Sequence, residues 1–182
     1  MKPVPLRLQQ PRIPALQDAQ FSDEQRELLT RGKPKQILNV FRTLATHTDL
    51  YKRWLPFANH VLFKSSLQPR EREILILRIG YLCRSGYEFH QHVRVGKAAG
   101  LTDAEIEAVA VGPESPLWND FERALVRAVD ELHRDAFISD ATWAALSARY
   151  DTNQMMDLVF AVGQYTMVSM ALNSFGVQLE EP

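Results

Sequence analysis

Apolar residues recur along this chain at helical spacing, and no segment alternates convincingly with the period of two that a half-buried strand shows. Ser22 opens a short helix by pairing with Gln25 in a capping box, and Arg31–Gly32 closes it before Pro34. Ile37, Leu38, Phe41, Leu44 and Ala45 predict an amphipathic helix from Lys35, with a break over His47–Asp49 where Thr48 or Asp49 can cap the next helix. That second amphipathic helix is expected from Leu50 to Lys64, kinked by Pro56 unless that residue lies near its start. After a turn at Ser65–Gln68, Pro69 suits a first helical position. Ile74 to Leu82 is apolar nearly all round apart from Arg78, the mark of a buried helix ending near Cys83. Its partner runs from Gly86 to Ala99 and stops at Gly100. Thr102 with Glu105 caps a helix to Val111, residues 112–116 form a loop, and a long amphipathic helix covers Leu117 to Phe137. A short helix to Tyr150 and a Met-rich one over Thr152 to Ser174, ended by Gly176, complete the chain. Eight or nine helices without strands make this an all-α protein, one helical bundle.

The first twenty residues stand apart, with Pro3, Pro5, Pro11 and Pro14 and no helical period. They read as an extended arm lying on its own surface or on a neighbouring subunit, or as a disordered tail. Residues 21–182 then form one domain. At 182 residues, 46% hydrophobic and 24% charged, the chain has the size and balance of a globular domain with a substantial core. A net charge of −1 gives no reason to expect nucleic acid or an anionic membrane as partner. The prolines interrupt any apolar core of a secretory signal, and no apolar run is expected to span a membrane, which makes cytoplasmic the default. The single cysteine, Cys83, excludes an internal disulfide and a CxxC redox centre.

Chemistry concentrates around the buried helix. Glu88 and His92 are four residues apart, on one helical face and within reach of each other; spacing alone makes them an ordinary surface pair. Glu73, just before the apolar run, suits the first turn of its helix by charge alone. Arg70 and Arg72 can both belong to a solvated face, which is the better reading for Arg72, whereas Arg78 interrupts an apolar helix and needs a carboxylate from the protein, a partner subunit or a substrate. Tyr87 reads as a packed side chain able to donate a hydrogen bond, His90 as solvated, and Cys83 as an inert thiol. His47, His60 and His133 are scattered, so neither metal nor other cofactor is expected, and no glycine-rich phosphate loop is present.

From about Arg70 to Val109 the sequence resembles the carboxymuconolactone decarboxylase and alkylhydroperoxidase D superfamily. The thiol peroxidase branch of that superfamily carries a Glu, eleven residues, Cys, two residues, Cys, three residues and His. Here Glu73 and His92 match, while Ser85 and Glu88 stand at the two cysteine positions and Tyr87 at a relay histidine. In the decarboxylase branch a Glu four residues before the His is followed by a continuation like HVRVGKAAGLTDAEI, which Glu88 and His92 fit. The resemblance implies an all-α, alkylhydroperoxidase D-like bundle assembled as a homo-oligomer, with the wide apolar face of the last helix as interface. It implies a decarboxylase-like lyase or an isomerase acting on a small carboxylated lactone or related organic acid. His92 would be the acid/base and Glu88 its partner or a second acid, with Glu73 orienting the imidazole. Arg78, Arg70, Tyr87 and Ser85 would then bind substrate. The alternatives are a peroxidase-related antioxidant protein, which lacks the paired thiols such chemistry needs, and a non-catalytic helical oligomer that binds a small molecule or a protein.

Overall fold

The computed structural model describes residues 4–31 and 36–180. Among these residues the secondary structure is helical throughout, as expected: α1 Asp23–Thr30, α2 Asn39–Leu44, α3 Thr48–Asn59, α4 Pro69–Leu82, α5 Gly86–Ala98, α6 Asp103–Val111, α7 Asp120–Asp135, α8 Asp140–Ser147 and α9 Thr152–Phe175. The expected stop at Gly32 and the start at Lys35 lie outside the described residues.

The apolar run of α4 takes the central place its composition demands. Ile74, Leu75, Ile76, Leu77 and Ile79 are buried on every side. The helix packs against α5, α7, α9 and α6 at once. Gly96 lies at a tight point of the α4–α5 contact. A Cβ there would come within 3.0 Å of Leu101 and 3.2 Å of Leu77, so those side chains would have to shift by a few tenths of an ångström, whereas one on Gly80 would make ordinary contact with Glu88 at 3.7 Å. Pro69 begins α4, and the capping boxes at Ser22–Gln25 and Thr102–Glu105 are both formed.

Several boundaries differ from the pattern, each for a local reason. The chain stays extended through Leu38, and α2 begins at Asn39, whose N–H donates to Glu180 Oε1 at 2.7 Å. A carboxylate from the far end of the chain thus caps this helix. The cap of α3 is the His47 ring, whose Nδ1 accepts from Leu50 N at 3.4 Å, rather than Thr48 or Asp49. Pro56 lies inside α3, and the chain passes into a π-helical turn over His60–Lys64. That widening is natural where a proline has removed one rung of the hydrogen-bond ladder. The long helix starts at Asp120 rather than Leu117, because Asn119 and Glu122 form a capping box and Trp118 folds back to donate Nε1–H to Gly112 O at 3.0 Å.

The arm lies on its own chain. Arg12 N and Ile13 N donate to Phe175 O at 2.8 and 3.1 Å, and Val4 and Leu6 pack into the apolar clusters beside α5. Gly86 makes room for it, since a Cβ there would stand 2.5 Å from Pro5 O. Contrary to the expectation that no segment is apolar enough to span a membrane, α9 is, by its 24 residues and composition. Half of that stretch is buried inside the protein, and a core helix has the same composition as a membrane span. Met155, Leu158, Val162, Tyr165 and Leu172 face the core, while Met156, Phe160, Met167 and Met170 stand exposed along the other side.

Candidate active site

Three helices bring the acid and imidazole groups together beneath the surface. Glu73, in the second turn of α4, is fully buried. Its Oε2 lies 2.6 Å from His92 Nδ1 and its Oε1 accepts from Arg72 Nε at 3.2 Å. One turn before His92 on α5, Glu88 places Oε1 3.0 Å from His92 Nε2. From α9, Tyr165 sets its ring edge-on to the imidazole with centroids 4.9 Å apart. Both ring nitrogens of His92 are therefore held by carboxylates, and its plane is fixed by an aromatic wall. The cation of Arg72 and an imidazolium balance the two carboxylates, which is how such a cluster tolerates burial.

Burial is the largest single influence on His92 and disfavours its charged form. The hydrogen bonds and charges of Glu73 and Glu88 together outweigh it and lift the imidazole pKa from 6.5 to about 9. Burial, with Glu88 and Glu73 nearby, also holds the Tyr165 phenol well above its ordinary value.

The group opens onto a cavity of about 170 Å³ between α2, α3, α5 and α9. Its wall includes Glu88, His92, Gln164 and Tyr165 among apolar side chains such as Leu38, Trp54, Leu62 and Val168. Glu88 Oε1 is engaged by His92, and both residues lie on the cavity wall. The arrangement can therefore hold a carboxylate and an imidazole rigidly beside a bound molecule. Among the described residues no three acidic, histidine or cysteine side chains are placed to hold a metal ion. His92 has no free nitrogen to ligate one.

The remaining expected site residues are placed differently. Tyr87 contributes its ring to the cavity wall, but its hydroxyl donates to Glu180 Oε1 at 2.6 Å and accepts from Val40 N at 3.2 Å. Burial, and then the Glu180 hydrogen bond, push that phenol far above its ordinary value. Arg78 does not line the cavity: it forms a two-pronged pair with Asp130 at 2.6 and 2.8 Å and donates to Val109 O at 2.6 Å. Its carboxylate comes from the protein. Arg70 is likewise engaged away from the cavity, with Glu105 and Glu122. Ser85 is fully buried at the head of α5, outside the cavity lining, and its hydroxyl has no partner among the described residues. Arg72 is a correction of another kind, because its side chain is only 12% exposed and holds Glu73 rather than facing solvent. Gln164 and Tyr165 escaped notice in the sequence, hidden in a helix whose composition speaks only of core; a polar amide within that apolar stretch was the available signal.

Residues 48–131 match the model of the Carboxymuconolactone decarboxylase family. The matched segment contains Glu73, Glu88 and His92, and the similar solved structures carry the same helical arrangement. Over that segment the chain is similar to the carboxymuconolactone decarboxylase family, and its fold is AhpD-like. One superfamily structure, the alkylhydroperoxidase AhpD core of an uncharacterized peroxidase-related protein from Ralstonia eutropha JMP134, shares 18% identity. The match covers 94% of this chain and 93% of that one with a TM-score of 0.82. An uncharacterized peroxidase-related protein from Silicibacter sp. TM1040 shares 14% over 99% and 95% of the two chains, with a TM-score of 0.79. The debrominase Bmp8 shares 11% over 92% and 91%, with a TM-score of 0.74. At these identities the likeness establishes the shared fold. No curated protein sequence matches the chain significantly.

Proposed function

We propose that this protein is an acid–base enzyme of the decarboxylase or isomerase kind, acting on a small lactone or related organic acid held in the cavity beside Glu88. The observation that carries this reading is the buried Glu73–His92–Glu88 relay, with Glu88 and His92 on the wall of a cavity of substrate size. Glu88 is then the group that meets substrate. Its carboxylate takes a proton from a carbon beside the lactone carbonyl, or returns one to it. In a decarboxylation the C–C bond to the departing carboxylate breaks, its electron pair enters the conjugated lactone, and a proton is delivered to the ring carbon. His92 Nε2–H steadies Glu88 Oε1 throughout, and Glu73 acts as a positioning residue that fixes the imidazole. Such proton transfer by a placed side chain contributes roughly 10²–10⁴-fold in rate. With Arg78 and Arg70 committed elsewhere, a carboxylate on the substrate would rely on the His92 imidazolium.

Peroxidase-related names among the structural relatives do not favour thiol chemistry here. Cys83 stands at the end of α4 outside the cavity lining, and burial pushes its thiol above the ordinary value. The test pairs two lactones. Carbon dioxide release from 4-carboxymuconolactone and solvent-deuterium incorporation into α-angelica lactone are followed for wild type and Glu88→Gln. Catalysis of either, lost at least about a hundredfold in the variant, is expected. Rates equal to buffer for both, or catalysis indifferent to Glu88, would remove the reading.

A further inference from the structure

A second cavity, of about 130 Å³, adjoins the one beside Glu88 and His92. Val40 of α2, Trp54 of α3 and Val168 of α9 line both, so the two are neighbours across a shared wall. Their chemistry differs. Glu88 and His92 line only the first, while Leu44, Ala171 and Phe175 line only the second. Among the described residues that line the second cavity, only Tyr51 and Trp54 carry a side-chain hydrogen-bonding group. Burial pushes the Tyr51 phenol up to about 12, in keeping with dry surroundings. A water molecule needs two to four polar partners, so this space suits hydrocarbon better than water. No described lysine or arginine lines either cavity, and Arg78 and Arg70 are engaged with Asp130, Glu105 and Glu122. A molecule seated beside Glu88 therefore has no arginine to hold it, and burial of apolar surface is the source of affinity that the neighbouring cavity offers.

We propose that the substrate is amphipathic, with its lactone or organic-acid head beside Glu88 and His92 and an unbranched alkyl substituent lying past Trp54 in the second cavity. This inference rests on the proposed reading of the first cavity as the substrate site; it keeps that head and adds the group it carries. An apolar cavity of about 150 Å³ accommodates the six carbons of benzene, so the second cavity takes a chain of about five. Each methylene buried there should improve affinity about fourfold. Ala171 is the smallest side chain in that wall, and its half-buried methyl marks where the chain lies.

The probes are saturated γ-lactones with methyl, propyl, pentyl and heptyl chains: γ-valerolactone, γ-heptalactone, γ-nonalactone and γ-undecalactone. Their affinities are measured by calorimetry on the full chain. Affinity should rise about fourfold per methylene from methyl to pentyl and then level off at heptyl. In Ala171→Leu the larger side chain takes the place of the alkyl group, and the advantage of pentyl over methyl should fall below about tenfold. The Ala171 methyl signal in the NMR spectrum of wild type should shift on adding γ-nonalactone and not on adding γ-valerolactone, a readout that needs no variant. Affinity that is flat along the series, a gain that continues undiminished to heptyl, a pentyl advantage that survives Ala171→Leu, or an unmoved Ala171 methyl would each overturn the inference. Glu88-dependent turnover of 4-carboxymuconolactone or α-angelica lactone together with flat affinity would overturn this inference alone. A graded, Ala171-dependent affinity without turnover would support it and count against the proposed reaction alone.

Discussion

Replacing Glu73 with Gln keeps the shape of the side chain and removes the anion that sits 2.6 Å from His92 Nδ1. In the wild type the imidazole titrates at about 9, about 2.5 pH units above its ordinary 6.5. Burial works against that elevation, so the two carboxylates together supply more than it. Glu73 and Glu88 both raise it through a hydrogen bond and through charge, so the two share the elevation. Removing Glu73 should lower the pKa by about 1 pH unit, equivalent to about 1.4 kcal/mol of lost preference for the imidazolium. Stability should change with a definite sign. A raised folded-state pKa adds stability that is fully present below the unfolded value near 6.5 and is lost as pH rises through about 9. Wild type should thus lose about 3 kcal/mol across that window, and Glu73→Gln should show a smaller, earlier loss. Ring-nitrogen NMR titration, with His92→Asn for assignment, measures the first quantity, and urea unfolding at pH 6, 7.5 and 9 measures the second. A His92 that titrates near 6.5 in wild type, or one that Glu73→Gln leaves near 9, would refute the reasoning that these groups form one electrostatic unit.

Particular contacts elsewhere carry expectations of their own. Arg78→Met should cost about 3 kcal/mol in chemical denaturation, because it leaves Asp130 unpaired and Val109 O without its donor; a change below about 1 kcal/mol would mean the pair contributes little. Gly86→Ala should drive the arm from its seat, since the new methyl would meet Pro5 O at 2.5 Å; faster proteolysis or amide exchange before residue 14 reports it, and an unchanged arm would contradict the placement. Cys83→Ser should leave alkyl hydroperoxide turnover with a dithiol at the same baseline as wild type, whereas clear turnover that vanishes in the variant would restore the peroxidase reading. Light scattering at micromolar concentration should find a homo-oligomer formed through the exposed Met156, Phe160, Met167 and Met170 face; a monomer would show that face to be solvated.

How far the sequence reached depends on the range of the interaction involved. The helical spacing, the capping boxes at Ser22 and Thr102 and the buried run of α4 are local, and each is where its residues predict. Misplaced boundaries came from partners far along the chain. Leu38 stays extended because Glu180, 141 residues from Asn39, supplies the cap of α2. The pair Glu88 and His92 was visible, but a spacing of four fits a surface pair and a buried site equally well. Glu73 separates the two outcomes, because its carboxylate reaches His92 across the α4–α5 contact, and periodicity does not report such contacts. The arginines failed for the complementary reason. Sequence shows that Arg78 needs a carboxylate, while only the packing of α4 on α7 shows that Asp130 provides it.

The same distinction applies to the walls of the cavity. Glu180 joins Tyr87 and Gln91 of α5 to the start of α2, and Leu38 and Val40 at that start line the cavity. The wall opposite Glu88 and His92 is therefore tied down by a side chain from the chain's far end rather than by α2's own six residues, too few to hold a helix in water unaided. Glu88 is held by His92 on α5 and touches α4 at Gly80. The acid and imidazole groups thus sit on helices packed together in the core, while the facing wall is built from the short segment held by Glu180. Loosening that tie with Glu180→Gln should speed amide exchange in α2 while leaving the His92 titration close to its wild-type value. A variant that moved the His92 pKa as far as Glu73→Gln does would show the tie and the relay to be one structure instead of two.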